Sequence, residues 1–448
     1  MTMAADIAVS NSETLRVLDE FFHDIGLCRP NEAAGFAAST AALAARLLFA
    51  KGGAARSMGA SAATVGVASL IPDCGHPKVV AVRPAGEGGT AYAIPAEWGL
   101  DRLMANVEPL AARLRAQRVS IRHNEKDRSA GLAWIVVQVT DPLDRVIGGR
   151  VPPPAPPDLT SILLGMTEEG RPALIPLKDR NGIAYAAESG GGKTFTINAC
   201  IAGWAQHESV QLAIIDGKAG ADYVAWEPRA QVVLPTTDRT AVVEALRPYR
   251  EELNRRTELY RRKLEAWRDA GAVKGQEPAT SFWHEMPTPD LPLIVIVVDE
   301  IQVFTSGAKS REEKAIQEEL VKLLGDLMNR GRSTGIVTIV ATQKSTADAI
   351  PTEVRDKASL RLVGRLSTSD AVVAGLGRAV DDGEPDPRKL PQRPGMVIMA
   401  PEGGGLLRAR SWLVDPGDLV RLGIAVTDLR RPLPVIETSE GTADDAED

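Results

Sequence analysis

Ile183-Ala-Tyr-Ala-Ala-Glu-Ser-Gly-Gly-Gly-Lys-Thr194 is the stretch that decides the fold of this chain. A short apolar run passes into three consecutive glycines, then Lys-Thr, then a segment from Phe195 to Trp204 that reads as a helix. Strand, glycine loop and helix in that order are the setting a phosphate-binding loop needs. Residues without side chains let backbone N–H groups curl around phosphate oxygens, and the helix N-terminus adds partial positive charge. In such a loop Lys193 neutralises the β- and γ-phosphates and the Thr194 hydroxyl holds Mg²⁺. The nucleotide-binding stretch is read as Glu188, Ser189, Gly190, Gly191, Gly192, Lys193, Thr194 and Phe195. A glycine-rich strand-to-helix turn without a ligand is the plainer reading of the same residues. One position departs from the usual pattern: Ala187 stands where the first loop glycine is expected.

Downstream of the loop, strands alternate with helices. Gln211 to Ile215 is an apolar strand ending at Asp216, whose role the sequence leaves open. Thr240 to Trp267 is a long helix with Leu246, Tyr249, Leu253, Tyr260, Leu264 and Trp267 as its stripe. Glu251/Arg255, Glu252/Arg256 and Glu258/Arg262 support its exposed side as i,i+4 pairs, a solvated face rather than a DNA site. Ala270 to Leu291 is polar and Pro-rich and reads as a surface insertion. Leu293 to Val298 is continuous and β-branched, as in a parallel strand buried on both faces, and it ends in Asp299-Glu300. Arg311 to Arg330 reads as a helix, Ile336 to Val340 as a strand ending Ala341-Thr342-Gln343, and Leu360 to Leu366 and Met396 to Met399 as further strands. The pattern predicts a mostly parallel α/β sheet with its ligand at the strands' carboxyl ends. There Asp299 is placed to hold a Mg²⁺ shell and Glu300 to orient or deprotonate an attacking water. Gln343 is either a γ-phosphate sensor or an ordinary strand-end amide.

Upstream, Ser161 to Met166 and Pro172 to Leu177 flank Glu168-Glu-Gly-Arg171, a hairpin signal. Val151-Pro-Pro-Pro-Ala-Pro-Pro157 reads as a stiff linker and a domain boundary. Before it, strands at Lys78–Val82, Thr90–Ile94, Val119–Ile121 and Ala133–Val139, with a helix from Leu100 to Arg115 and a turn at Gly86–Gly89, make a small α+β domain. Helical spacing over Glu13–Ile25 and an Asn31 cap before the Ala-rich run Ala33–Ala50 predict N-terminal helices, with Gly52–Ser69 unplaced. The expected division is an N-terminal helical segment (1–70), the α+β domain (71–150), the linker (151–157), the motor (158–425) and an acidic tail (426–448) that is disordered from Glu437 on.

Composition narrows the function classes. With 448 residues, 44% hydrophobic and 25% charged, the chain has the make-up of an ordinary globular protein of two or three domains. A net charge of −7 excludes a broadly basic nucleic-acid coat, so any such site is a local patch or loop. Aromatics at 4% speak against recognition of single strands by base stacking. Cys28, Cys74 and Cys200 are too dispersed for a disulfide framework or a zinc site, and no metal other than Mg²⁺ is expected. No run has the length and apolarity of a membrane helix, and no signal peptide is legible, so the cytoplasm is the expected compartment.

The ordered set Ala187-Glu-Ser-Gly-Gly-Gly-Lys-Thr194, Ile215-Asp-Gly-Lys218, Ile296-Val-Val-Asp-Glu300, Arg330-Gly-Arg-Ser-Thr-Gly-Ile336, Val340-Ala-Thr-Gln343, Ile350-Pro351 and Arg361-Leu-Val363 resembles the FtsK/SpoIIIE-type DNA-pumping ATPases of the RecA-like/HerA class. The resemblance covers about Pro157 to Met399. Within that class it is most similar to actinobacterial TraB-like translocases of conjugative plasmid transfer. The support is Asp141-Pro-Leu143 closing the small domain and Gly165-Met-Thr-Glu-Glu-Gly-Arg171 before the motor. The resemblance implies a RecA-like P-loop domain, ATP and Mg²⁺ as cofactors, a homo-oligomeric and usually hexameric ring, and double-stranded DNA as the cargo. It also implies that Arg361 completes a neighbouring subunit's site, the alternative being a strand-end salt bridge. Pore-loop contacts to DNA phosphates are assigned to Arg378, Arg388, Lys389 and Arg393, with a solvated Pro-rich loop as the alternative. Membrane helices ahead of the motor and a winged-helix module behind it are features of the class that this sequence does not display, so attachment at a membrane or septum is expected through partner proteins. Two other functions fit parts of the pattern: a ring ATPase acting on protein substrates, as in type VII secretion, and a nucleotide-gated scaffold that does not hydrolyse.

Overall fold

Runs of β-branched residues become central strands because a strand covered on both faces must be apolar at every position. The computed structural model describes residues 14–18, 21–22, 79–84, 89–95, 103–123, 132–344, 349–381 and 384–432. The Ala33–Ala50 helix, the Gly52–Ser69 stretch, most of the Gly86–Gly89 turn and the acidic tail from residue 433 on lie outside these residues; the tail's first residues are described, with Gln211 and Gln231 donating to Leu429 O and Arg431 O. Of the Glu13–Ile25 helix, residues 14–18 and 21–22 are described and helical.

Two compact units divide the chain. One takes the described residues up to Arg145 with 166–171 and 380–385; the other takes Val146–Gly165, Pro172–Ala379 and Asp386 onward. In the first, β1 (Ala81–Pro84), β2 (Gly89–Pro95), helix α1 (Val107–Arg113), β3 (Arg118–His123) and β4 (Leu132–Gln138) form an antiparallel sheet of order β1-β2-β4-β3. Tyr92, Ile94, Leu110, Val119, Ile135 and Val137 make its core. This is the small α+β fold the sequence predicts.

The second unit carries a ten-stranded sheet. Its elements in chain order are β5 (Ser161–Thr167), β6 (Pro172–Pro176), β7 (Ile183–Ala186), α2 (Lys193–Ala205), β8 (Val210–Asp216), β9 (Val232–Pro235) and α3 (Arg239–Asp269). They continue with β10 (Leu293–Asp299), α4 (Gln302–Thr305), α5 (Arg311–Thr334), β11 (Ile336–Thr342), α6 (Thr352–Arg355), β12 (Leu360–Val363), α7 (Ser369–Leu376), β13 (Met396–Pro401), β14 (Leu407–Ser411) and α8 (Pro416–Ala425). The order is β6-β5-β14-β13-β12-β7-β11-β10-β8-β9. From β12 to β9 every neighbouring pair is parallel; β13 and β14 turn the sheet antiparallel. β8, β10 and β11 are buried at every residue. β9, β14, α7 and α8 have weaker signals: short strands, one of them partly exposed, and helices of eight and ten residues. The proline run 151–157 belongs to this unit and packs on α2: Ala155 N donates to Gly203 O at 2.9 Å and Gln206 Nε2 to Pro152 O at 3.0 Å. Among the described residues no helix is long and apolar enough to cross a membrane.

Expectations for the long helix and for the stretch before β10 are corrected. Glu252 and Arg256 do not lie on the exposed side of the long helix. Both are buried; Arg256 Nε donates to Glu252 Oε1 at 2.6 Å and Nη1 to Thr334 O at 2.8 Å. Arg255 reaches the same carboxylate at i,i+3 rather than Glu251 at i,i+4. Arg256 points inward and satisfies Thr334 O, one of the last carbonyls of α5, which have no intrahelical partners, and Glu252 balances its charge. Leu264, expected in the apolar stripe, is exposed, whereas Glu258 and Arg262 form the surface pair the spacing predicts. The Pro-rich stretch before β10 is not purely a surface insertion. Phe282 and Trp283 are buried, edge to face at 5.0 Å, and Trp283 Nε1 donates to Arg332 O at 2.7 Å. Gly335, the left-handed cap of α5, lies so close to Phe282 that a Cβ there would come within 2.4 Å of the ring. Replacing Phe282 by Ala is expected to cost about 3–5 kcal/mol in chemical denaturation, the range for a truncated core aromatic. A loss below about 0.5 kcal/mol, usual for a surface position, would return the stretch to a surface role.

Candidate nucleotide site

The register of the parallel strands assembles the site. Thr342 pairs with Ala186, Val298 with Val340 and Asp299 with Asp216, so β7, β11, β10 and β8 end at one level. The glycine loop leaves β7 there and enters α2. Gly190 and Gly192 take left-handed φ values of 81° and 84°, which residues with a Cβ adopt only with strain. A Cβ on Gly192 would also lie 2.3 Å from Gly395 N. The loop is pinned by Gly191 N to Glu188 O (3.1 Å), Ala187 N to Thr342 O (3.2 Å) and Gly395 N to Gly191 O (3.1 Å).

The alanine that departs from the usual loop pattern has a compensation. Its side chain fills the space in front of Gly364, just after β12, where an added Cβ would stand 2.6 Å from Ala187 Cβ. The loop tolerates the methyl group because the neighbouring strand end lacks one.

Lys193 is buried at the first position of α2. Its Nζ forms an ion pair with Asp299 Oδ1 and lies 3.1 Å from Glu300 Oε1. Asp299 Oδ2 accepts from Tyr223 Oη at 2.8 Å, and its Oδ1 also accepts from Glu300 N at 2.9 Å. Burial, and then the charge of Asp299, push the Tyr223 hydroxyl well above its ordinary value, so it stays a donor. Glu300 turns through a left-handed φ of 53°. Its Oε2 accepts from Gln302 Nε2 at 2.5 Å and from Gln343 N at 3.2 Å, while Oε1 is the oxygen that faces Lys193. Gln302 is itself held by Thr342 Oγ1 at 2.7 Å. Thr194 is half-buried beside Lys193, and Phe195 is exposed.

Asp216, undecided from sequence, closes a turn: its carboxylate accepts from Lys218 N at 2.9 Å and Gly220 N at 3.1 Å. Burial lowers the Lys218 ammonium, but Asp222 at 3.0 Å, with Asp299 and Glu300 further off, raises it overall. Glu188 holds the loop after β12, accepting from Ser367 N at 2.7 Å and Ser367 Oγ at 2.8 Å. Arg361 lies within β12, its guanidinium packed over Gly377, with Nη2 3.9 Å from Asp356 and Nη1 buried without a hydrogen-bond acceptor. Burial and then Arg355 hold it below its usual value, against the pull of Asp356. Of the residues assigned to DNA, Arg388 is engaged by Asp386 (2.7 Å) and Ser369 Oγ (2.8 Å), and Arg378 donates to Ala379 O at 2.8 Å. Lys389 is exposed. Arg393 stands elsewhere: with Arg365, Pro391, Gln392 and Met396 it lines a cleft over Glu188, Ser189, Gly190 and Gly191.

These residues suit a magnesium nucleotide. The glycine loop has no side chains to obstruct phosphate, and the first-turn amides of α2 have no intrahelical acceptors. Among the described residues no cluster of three metal-ligating side chains occurs, and Mg²⁺ in such sites takes one carboxylate, a hydroxyl and the nucleotide's own phosphates. Sequence reasoning missed Tyr223, Gln302 and Gly364, which no motif spacing marks.

A glycine loop between a central parallel strand and its helix, facing an Asp-Glu pair on a nearby strand, defines the P-loop NTPase class of fold. No protein-family model matches the chain. Over 226 residues it is 26% identical to DNA translocase FtsK of Staphylococcus aureus, covering 48% of this chain and 27% of that protein. It is also 26% identical over 302 residues to Protein Tra of Streptomyces lividans, covering 65% of this chain and 44% of that protein. Among solved structures it resembles the monomer form of the pCW3 conjugation coupling protein TcpA with ATPγS, at a TM-score of 0.51 and 16% identity over 80% of this chain and 94% of that one. The chain thus spans less than half the length of these curated relatives. Both matches agree with the FtsK-type resemblance of the motifs.

The Ala187–Gly364 contact is directly testable. Gly364→Ala is expected to destabilise the protein by about 1–3 kcal/mol through overpacking, and Ala187→Gly in the same chain to restore most of it. Denaturant titrations of the two single variants and the double variant measure the coupling; additive effects would remove the compensation.

Proposed function

We propose that this chain is an ATP-driven motor that moves double-stranded DNA in plasmid or mobile-element transfer. The observation that carries the reading is the buried contact of Lys193 with Asp299 and Glu300 at the strand ends. The relatives supply the cargo: one is named a DNA translocase, and the solved structure is titled a conjugation coupling protein.

In this reading Glu188 to Phe195 form the ATP site, with Lys193 on the β- and γ-phosphates. Mg²⁺, held by Thr194 and Asp299, neutralises phosphate charge when bound. Tyr223 fixes the Asp299 carboxylate. Glu300 accepts the proton of the attacking water, positioned by Gln302 and the Gln343 amide. Gln343 reports the phosphate state, and Arg361 completes the site of an adjacent subunit in a homo-oligomeric, hexameric ring. Exposed Lys389, with Arg378, supplies phosphate contacts to the duplex. Peripheral attachment at a membrane or septum comes through partner proteins.

ATPase measurements with and without duplex DNA test this. Duplex is expected to stimulate turnover, with stimulation falling steeply as salt rises. Lys193→Ala abolishes ATP binding, and Glu300→Gln retains binding but lowers turnover by about 10²–10⁴-fold. Unchanged hydrolysis in both variants removes the catalytic assignment. Stimulation by peptides and not by duplex replaces the cargo.

A further inference from the structure

We infer that Arg393, with Arg365 behind it, forms a cationic wall of the nucleotide site and binds the phosphate chain of a nucleoside triphosphate rather than DNA. The inference rests on the phosphate-loop reading above and adds to it a contact that no sequence motif marks.

The segment that carries Arg393 is docked on the glycine loop itself. Gly395 N donates to Gly191 O at 3.1 Å, and Gly192 has no room for a Cβ against Pro394 and Gly395. Gly395 takes a left-handed φ of 82° with Ser411 pressed against it, so its place is fixed from the other side by β14. Arg365 follows β12 directly and ties in the same segment, its Nη1 donating to Leu390 O at 2.8 Å. The prolines on either side, Pro391 and Pro394, limit the backbone freedom of the pair between them. Two arginines therefore line the cleft together with Gly190 and Gly191 of the loop. Guanidinium groups pair with phosphate oxygens through charge-assisted and often bidentate hydrogen bonds. Arg388, assigned to DNA from the same stretch of sequence, donates to Asp386 and Ser369 and does not line this cleft.

The experiment is a pair of titrations on the full chain: a fluorescent ATP analogue without DNA, and labelled duplex DNA without nucleotide. Arg393→Ala is expected to weaken ATP binding by roughly tenfold or more, and Arg393→Glu further, with duplex affinity unchanged. Melting temperatures of both variants, measured alongside, separate lost binding from lost fold, since Arg393 lies on the exposed surface. Unchanged ATP affinity overturns the inference, and loss of duplex affinity alone returns Arg393 to the DNA surface. Wild-type chain that binds no ATP removes this inference and the phosphate-loop reading together. Wild-type binding that is lost in Lys193→Ala but kept in Arg393→Ala removes this inference only.

Discussion

A lysine ammonium withdrawn from water must be matched by negative charge, and that requirement ties the second unit together. Lys193 belongs to the helix after β7, while Asp299 and Glu300 belong to the end of β10, 106 residues later for Asp299. Only the intervening strand β11 separates them in the sheet. A buried charge without its partner costs several kcal/mol, so the pairing penalises any slip in register between β7, β11 and β10. A one-residue shift would carry Asp299 to the opposite face and leave Lys193 unmatched. A structure held by that pair is also poised for anionic ligands, because the same ammonium can exchange carboxylate for phosphate.

Around this pair the fit is made by missing atoms as much as by those present. Gly192 gives way to Gly395, Gly364 to Ala187, and Gly331 to the Ile336 carbonyl, which a Cβ would approach to 2.1 Å. Each of these glycines marks a place where two backbone segments meet at the carboxyl end of the sheet or at the entry to β11. The Arg-Gly-Arg-Ser-Thr-Gly-Ile segment is thereby explained as packing: its first glycine admits the incoming strand and its second caps α5 in the left-handed region.

The parallel core was legible in the sequence because double burial forces unbroken apolar runs, and Leu293–Val298 and Ile336–Val340 have no competing reading. Lys193 and Thr194 were legible because they follow a glycine loop at the start of a helix, and Asp299, Glu300 and Gln343 because they follow apolar strands; the structure brings Lys193, Asp299, Glu300 and Gln343 together. What was hidden depends on distance in sequence. Tyr223 reaches Asp299 across 76 residues, and Gly364 meets Ala187 from another strand end. The Glu252–Arg256 pair has surface spacing and a buried location, since i,i+4 periodicity gives a face but not what covers it. Phe282 and Trp283 sit in a polar, proline-rich context whose average conceals two anchors. Arg393 is a cation in a loop, and local sequence cannot say which of two anions it faces.

Glu300 carries the conformation that makes the site asymmetric. Asp299 ends the strand, and an extended continuation would aim the next side chain away from Lys193. A left-handed turn at Glu300 brings its carboxylate back to the same ammonium, at a cost of about 1–2 kcal/mol for a residue with a Cβ. Gly217 permits the turn: a Cβ there would lie 3.0 Å from the carbonyl oxygens of both Asp299 and Glu300. Gln302 and the Gln343 amide then hold one carboxylate oxygen, leaving the other beside Lys193. Two adjacent acids thus receive different surroundings, Asp299 held by Tyr223 and Lys193, Glu300 by Gln302 and Gln343 on one oxygen and by Lys193 on the other. Local strain retained at the strand end is offset by specific hydrogen bonds, and two neighbouring acids keep distinct conformations around one ammonium.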